Sequence, residues 1–483
     1  MLFTTIQYAY FLPLVVALFW LLPKSARLPL LLVASYLFYA SWMAVFLLLL
    51  IPLTVFNYMF APYIQRSEKH KKLLFGTGVA VNLAVLGTFK YANFALASIA
   101  SMIGITTGHA PDWAVNIILP LGISFFVFEF IHYLFEVYRG GELVRSFTLF
   151  ALFAAFFPTQ IAGPIKRYPD FVAQMLEDRK LKLQYFDEGM PLIVMGLVKK
   201  LLLADNLASF VQMGLNDPGA FGAIEMWLYA YAFAFQIFFD FSGYTDIARG
   251  SAMLFGYHIP LNFNLPYIAN NISEFWHRWH ISLSTWLRDY LFIPLGGSRG
   301  GRWNVNRNLL LTMTLGGLWH GASWNFVVWG IYHGLLLVVH REFRAVKEAT
   351  KWLKTAVDSY VGKVLCTFLT FQAVCIGWIF FRVQDMSTAF NIVKKMVFLR
   401  PLFTKSEVGG HLLVLNQNLP VVVPITLAMI AGLLVGTAII VLAQGKVHIK
   451  LNAPAQAVLC FVGIILVVTF LPVDQQPFIY FQF

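Results

Sequence analysis

Long apolar runs separated by short polar loops recur from one end of the chain to the other. They lie near 8–23, 28–41, 43–60, 73–90, 115–138, 191–213, 222–239, 364–381, 419–443 and 456–472. Most approach the about 20 residues a helix needs to cross hydrocarbon. Two further runs, 146–164 and 309–340, are apolar but interrupted by Pro, Gly, Trp and His. They predict broken or re-entrant helices, which a membrane tolerates only where they are buried in protein or line a water-filled cavity. "FVAQMLEDRKLKLQYFDEG" (171–189) has apolar residues at helical spacing with charges between them, which predicts a helix along the membrane surface. The short polar–apolar alternation of an outer-membrane barrel is absent. The pattern therefore predicts an all-α polytopic membrane protein. No repeat or long linker divides it, so a single multi-pass domain over 1–483 is expected.

Composition agrees: 59% of residues are hydrophobic, 12% are charged, and mean hydropathy is +0.71. The net charge of +12 collects in loops such as "PKSAR" (23–27), "RSEKHKK" (66–72) and "REFRAVKEATKWLK" (341–354). Basic loops stay cytoplasmic, which places the N-terminus outside. Lys394, Lys395, Arg400 and Lys405 fall where the same count predicts an outside loop, so the C-terminal topology stays open. No basic domain stands apart, so the partner implied is the lipid bilayer and not nucleic acid. Cys366, Cys375 and Cys460 lie in apolar runs without a CxxC pair, which argues against a disulfide framework or a thiolate zinc site. "YAYFLPLVVALFWLLP" lacks a basic leader and a small-residue cleavage site, and reads as a retained helix.

Against this background a few polar islands stand out. "SEFWHRWHISLSTWLRDY" (273–290) gathers two histidines, two arginines and two acids around three tryptophans. Asn271 followed by Glu274 resembles a helix start, and "IPLGGSRGG" ends the helix. On one continuous helix Trp276, Trp279, His280 and Leu283 would share a face, with Arg278 and Arg288 pointing elsewhere. "LGGLWHGASWNFVVWGIYHG" (315–334) sets His320 between Trp319 and Gly321 inside an apolar run. An ionisable group at membrane depth is costly, so His320 is a functional candidate by default. His277 reads as a surface histidine, and His132 and His333 as structural hydrogen-bonding ones. In "FFDFSGYTDIARG" (238–250), Asp246 and Arg249 are spaced to pair on one helix. Lys166 and Arg167, after the Pro-rich break at 156–165, suit either phosphates or a snorkelling pair at the interface.

Other chemistries find little support. "GGSRGGRW" (296–303) lacks the Lys-Ser/Thr of a phosphate-binding loop, and neither GxSxG nor HExxH occurs. His277 and His280, with His320 as third ligand, make a poor metal site, so no metal and no bound cofactor are expected.

The strings "LPLGISFFVFE", "AGPIKRYPDF", "FDFSGYTDIARG", "NFNLPYI", "EFWHRWHISLSTWLRDYLFIPLGG" and "LGGLWHGASWNFVVWGIYHG", densest over about 120–340, resemble the membrane-bound O-acyltransferase (MBOAT) family, in its alginate O-acetyltransferase-like branch. The resemblance implies a ring of tilted and broken helices with a central funnel, and catalytic histidines at His320 and His280. It implies acetyl transfer from a cytoplasmic thioester, acetyl-CoA or a relative, toward an exported polysaccharide such as alginate or cellulose. A periplasmic acetylesterase-like partner and the polysaccharide synthesis machinery would work with it at a bacterial inner membrane. A neutral imidazole suits the base that takes the acceptor's hydroxyl proton. Trp276, Trp279 and Trp319 would line the substrate path, and Arg278, Arg288, Arg299 and Arg302 would meet donor phosphates. With no convincing nucleophile, direct transfer is favoured over an acyl-enzyme. A multi-pass transporter and a non-catalytic scaffold of an export complex are the rival readings. The first lacks a visible inverted repeat, and the second leaves His320 and its glycines unexplained.

Overall fold

A computed structural model describes residues 1–102, 117–216, 218–402, 422–442, 453–469 and 476–479, and every regular element among them is helical. The chain divides into two compact units, Met1–Leu197 with Tyr244–Leu261, and Val198–Gly243 with Asn262–Phe483.

The first unit holds α1 (Ile6–Leu21), α2 (Lys24–Met43), α3 (Leu47–Arg66) and α4 (Lys71–Leu86). α4 continues through a π-helical turn, Gly87–Tyr91, into α5 (Ala92–Met102). α6 (Ile123–Tyr138), α7 (Phe147–Ala155), α8 (Tyr168–Leu176) and α9 (Gln184–Leu197) follow. Lys24–Arg66 and Lys71–Met102 are long and apolar enough to cross a membrane, and so is Tyr360–Arg382 in the second unit. In the apolar 18-residue stretch of the first two spans only 28% and 17% of residues are buried inside the protein. Their apolar side chains therefore face outward, as hydrocarbon requires and water would not allow. The protein is a multi-pass membrane protein.

The expected break at 146–164 is present. α7 stops at Ala155, and residues 156–166 run on without helix, buried throughout. Ser35 Oγ accepts the Phe157 N–H at 3.1 Å. Gly122, at φ +74°, lets this loop close in, since a Cβ there would lie 2.6 Å from the Gln160 carbonyl oxygen. Lys166 meets neither phosphate nor solvent. Its Nζ is buried 2.7 Å from Glu129 Oε1 and 2.6 Å from Thr159 Oγ1. Removing one partner of such a pair costs about 3–5 kcal/mol. Asp246 and Arg249 do pair, at 3.6 Å. The surface helix expected over 171–189 is instead two helices. Between them Arg179 donates to the carbonyls of Gln174 and Gly256, and Lys24 pairs with Asp178. These bonds take the charged middle out of any helical repeat.

The second unit opens on a π-helical turn, Val198–Ala204, and α10 (Asp205–Asn216). α11 (Ala223–Met253) belongs to this unit as far as Gly243. Then come α12 (Ile272–Arg278), α13 (Ile281–Leu287), α14 (Arg302–His320) and α15 (Trp324–Ala349). α16 (Lys351–Asp358), α17 (Tyr360–Arg382), α18 (Met386–Phe398), α19 (Val422–Leu442) and α20 (Ala453–Thr469) complete it. The break expected within 309–340 falls between α14 and α15, immediately after His320. These two helices approach backbone to backbone. A methyl on Gly317 would lie 2.9 Å from Gly330 Cα, and one on Gly330 would lie 2.9 Å from Thr314 Cα.

Candidate active site

The helix over 273–290 begins as its sequence suggests. Asn271 Oδ1 accepts the Glu274 N–H at 2.8 Å, and Glu274 reaches back to the Asn270 N–H at 3.0 Å. It does not continue. α12 ends at Arg278, Trp279 is extended, and His280 sits at φ 41°, in the left-handed region, before α13 starts. The cause lies in a neighbouring loop. The Ile281 N–H donates to Asn262 O at 2.9 Å and the Ser282 N–H to Asn262 Oδ1 at 3.2 Å. The Arg278 carbonyl accepts from Asn264 N–H at 3.0 Å. Groups that would carry an α-helix onward are committed to that loop. A non-glycine residue in this conformation costs of order 1–3 kcal/mol and persists where surroundings over-determine it, often at functional sites. Trp276, Trp279, His280 and Leu283 consequently do not form the single helical stripe expected of them.

The break instead delivers His280 into an aromatic cluster. Its buried ring stands nearly perpendicular to Phe241, with centroids 4.7 Å apart, and 6.2 Å from Trp319. His320, at the last turn of α14, lies 5.0 Å from Trp319, 5.1 Å from Trp329 and 5.3 Å from Phe381. Trp276 packs 5.7 Å from Trp329, and Trp279 packs 4.8 Å from Trp378. His280, His320, Trp276, Trp279 and Trp319 are thus brought together. Trp329, Trp378 and Phe381 complete the walls, and spacing within one helix carries no signal for them.

His333 belongs to the same cluster, 4.7 Å from Trp329 and 5.3 Å from Trp276. It is fully buried, and among the described residues neither ring nitrogen has a protein hydrogen-bond partner. Gly377 makes room for it, since a Cβ there would fall 2.7 Å from His333 Nε2.

The arginines lie elsewhere. Arg278 pairs with Glu274 at 2.8 Å and donates to Asn264 O at 3.0 Å. Arg288 is exposed and pairs with Asp289 at 2.7 Å, and Arg299 is exposed. Arg302 pairs with Glu342, whose carboxylate is held below its usual range by hydrogen bonds from Asn306 and Arg302. Arg302 and His320 stand at opposite ends of α14, about 27 Å apart at 1.5 Å per residue. Two cavities border α12. One, of about 450 Å³, is lined by His277, His340, Arg344, Lys347 and Lys363 with Glu274 and Asp358. The other, of about 240 Å³, is mostly apolar and includes Trp276, Ile281, Arg288 and Met313. They share Ser273 and His277. His277 is exposed, with Nδ1 2.6 Å from Ser273 O, as a surface histidine should be. Among the described residues no group of three His, Cys, Asp or Glu side chains is placed to hold a metal ion.

Fold and site together define a helical membrane protein with imidazoles sequestered among aromatic rings beside a broken helix. Comparison with known proteins makes the class definite. The model of the membrane-bound O-acyltransferase family matches residues 144–380. Over 393 residues the chain is 44% identical to the "Probable alginate O-acetylase AlgI" of Azotobacter vinelandii, covering 80% of this chain and 76% of that one. It is 36% identical over 421 residues to the "Peptidoglycan O-acetyltransferase" of Helicobacter pylori, covering 80% and 78%. It is 33% identical over 280 residues to the "Teichoic acid D-alanyltransferase" of Bacillus subtilis, covering 55% and 69%. The chain belongs to the membrane-bound O-acyltransferase family, and it is an acyltransferase.

Proposed function

We propose that this protein carries an acetyl group from a cytoplasmic thioester, acetyl-CoA or a related donor, across a bacterial inner membrane to O-acetylate an exported polysaccharide. Alginate and cellulose are both suitable end acceptors, and a periplasmic acetylesterase-like partner would complete the relay. The observation that carries the reading is the joining of His280 and His320, from two separate polar islands, in one buried aromatic cluster. Relatives named for acetylating alginate and peptidoglycan support the choice of acetyl and of a cell-surface polymer.

In this reading an acceptor hydroxyl attacks the thioester carbonyl carbon. A C–O bond forms, the C–S bond breaks, His320 takes the hydroxyl proton, and the same proton passes to the departing thiolate. His280 orients or assists, and Trp276, Trp279 and Trp319 exclude water, which would otherwise hydrolyse the donor. The helices would enclose a funnel leading to the histidines. Arg278, Arg288, Arg299 and Arg302 face the charged end of the donor, and the cationic cavity bearing Arg344, Lys347 and Lys363 adds to them. Reversing charge at Arg288 and Arg299 together should raise the donor KM about tenfold with little change in kcat, and added salt should mimic part of that effect. Steady-state acetyl transfer by purified protein from labelled acetyl-CoA tests both this and the activity itself. An unchanged KM would remove these arginines from donor binding, and no transfer with any partner present would refute the proposed function.

No step requires a thiol. Cys375 is buried, and Cys366 and Cys460 are half-buried. A variant with all three replaced by Ser or Ala should retain most of the wild-type acetyl-transfer rate, with some loss of stability from altered packing. A well-accumulated but inactive triple variant would point to an acyl-enzyme instead.

A further inference from the structure

The second unit buries an ion cluster that the chemistry above does not use. Lys200, in the π-helical turn, places Nζ 2.7 Å from Asp205 Oδ1 and 2.9 Å from Asp240 Oδ1. All three side chains are buried. One cation between two carboxylates, away from water, is stable only when its remaining hydrogen-bonding capacity is met. A segment distant in sequence meets part of it on both signs. The Gln476 carbonyl accepts from Lys200 Nζ at 2.9 Å, and the Ile479 N–H donates to Asp240 Oδ2 at 2.7 Å. Phe478 and Ile479 are buried with it. The Phe478 ring packs 5.8 Å from Phe241, the residue after Asp240. Phe241 is the ring that stands against His280 at 4.7 Å.

We propose that residues 476–479 are a positioning element for the active site, with Phe478 backing Phe241 and so fixing the His280 imidazole. The backbone of the segment fastens to α11 through Asp240 and to the π-helical turn through Lys200. Phe478 then supports the ring that borders His280. This rests on the reading of His280 as an active-site residue. Phe478 touches no reacting atom, so its loss changes where the imidazole sits and not what binds. A misplacement of about 1 Å in a reacting group can slow a reaction about a hundredfold. A partly repacked wall should therefore cost about tenfold.

The experiment compares full-length wild type with Phe478→Ala, Phe478→Leu, Ile479→Pro and His280→Ala. Each is purified in detergent and assayed for acetyl transfer and thermal midpoint. Phe478→Ala should lower kcat about tenfold per folded molecule, leave the donor KM within about twofold, and be largely rescued in Phe478→Leu. Ile479→Pro, which deletes the N–H that Asp240 accepts, should show the same split between kcat and KM. Unchanged kcat in Phe478→Ala, or a loss that merely follows the folded fraction and is not rescued by Leu, would overturn the proposal. An inactive His280→Ala beside a fully active Phe478→Ala would overturn it alone. A fully active His280→Ala would remove the reading beneath it, and the proposal with it.

Discussion

His320→Ala should reduce acetylation of the exported glycan to background while the protein still inserts and accumulates. The residue closes α14 at a helix end, so truncating its side chain removes no backbone bond, and Trp329 and Phe381 remain to line the space. Loss of a general base typically slows a reaction about 10²–10⁴-fold. Glycan-bound acetate measured beside membrane abundance separates this from misfolding. Full acetylation at normal abundance would strip His320 of the role. His280→Ala should be severe as well, and a partial defect there would suit an orienting imidazole.

The second large effect is on stability. At Gly330 an added methyl would meet Met313 carbonyl oxygen and Thr314 Cα, both backbone atoms of α14, and a change of rotamer relieves neither clash. Gly330→Ala should therefore force α14 and α15 apart, at a cost of about 3 kcal/mol. The thermal midpoint in detergent should fall by at least about 5 °C. Activity should fall with it, because α14 carries His320 and α15 carries Trp329 and His333. Gly76→Ala, whose methyl would meet nothing within 4 Å, serves as the control and should leave the midpoint unchanged or slightly raised. Equal midpoints for the two variants would show that the hairpin does not need its close approach.

What could be read from the sequence is what local pattern controls. Hydropathy located the long apolar helices over 28–60, 73–90 and 364–381, and the Gly, Trp and His residues within 309–340 marked that run as interrupted. His320 stood out because a titratable group is costly in an apolar run, and His280 through its polar island and the family resemblance. The rest depends on partners far along the chain. Nothing within 273–290 indicates that Asn262 will capture the N–H groups of Ile281 and Ser282, so the helix read as continuous where it breaks. Lys166 looked interfacial because its buried partner, Glu129, lies 37 positions earlier. The walls that Trp276 of α12 and Trp378 of α17 form around His333 come from helices far along the chain. Lys200, Asp240 and Ile479 carry no joint pattern at all.

The most direct test of acyl transfer across the membrane is sided. Inverted and right-side-out vesicles containing the protein and its partner are given labelled acetyl-CoA, and label is followed on the far side. Label should appear there only as a covalent acetyl ester, only when donor is supplied on the cytoplasmic face, and only with His320 intact. Intact acetyl-CoA on the far side, or transfer undiminished in His320→Ala, would contradict the account and favour a transporter.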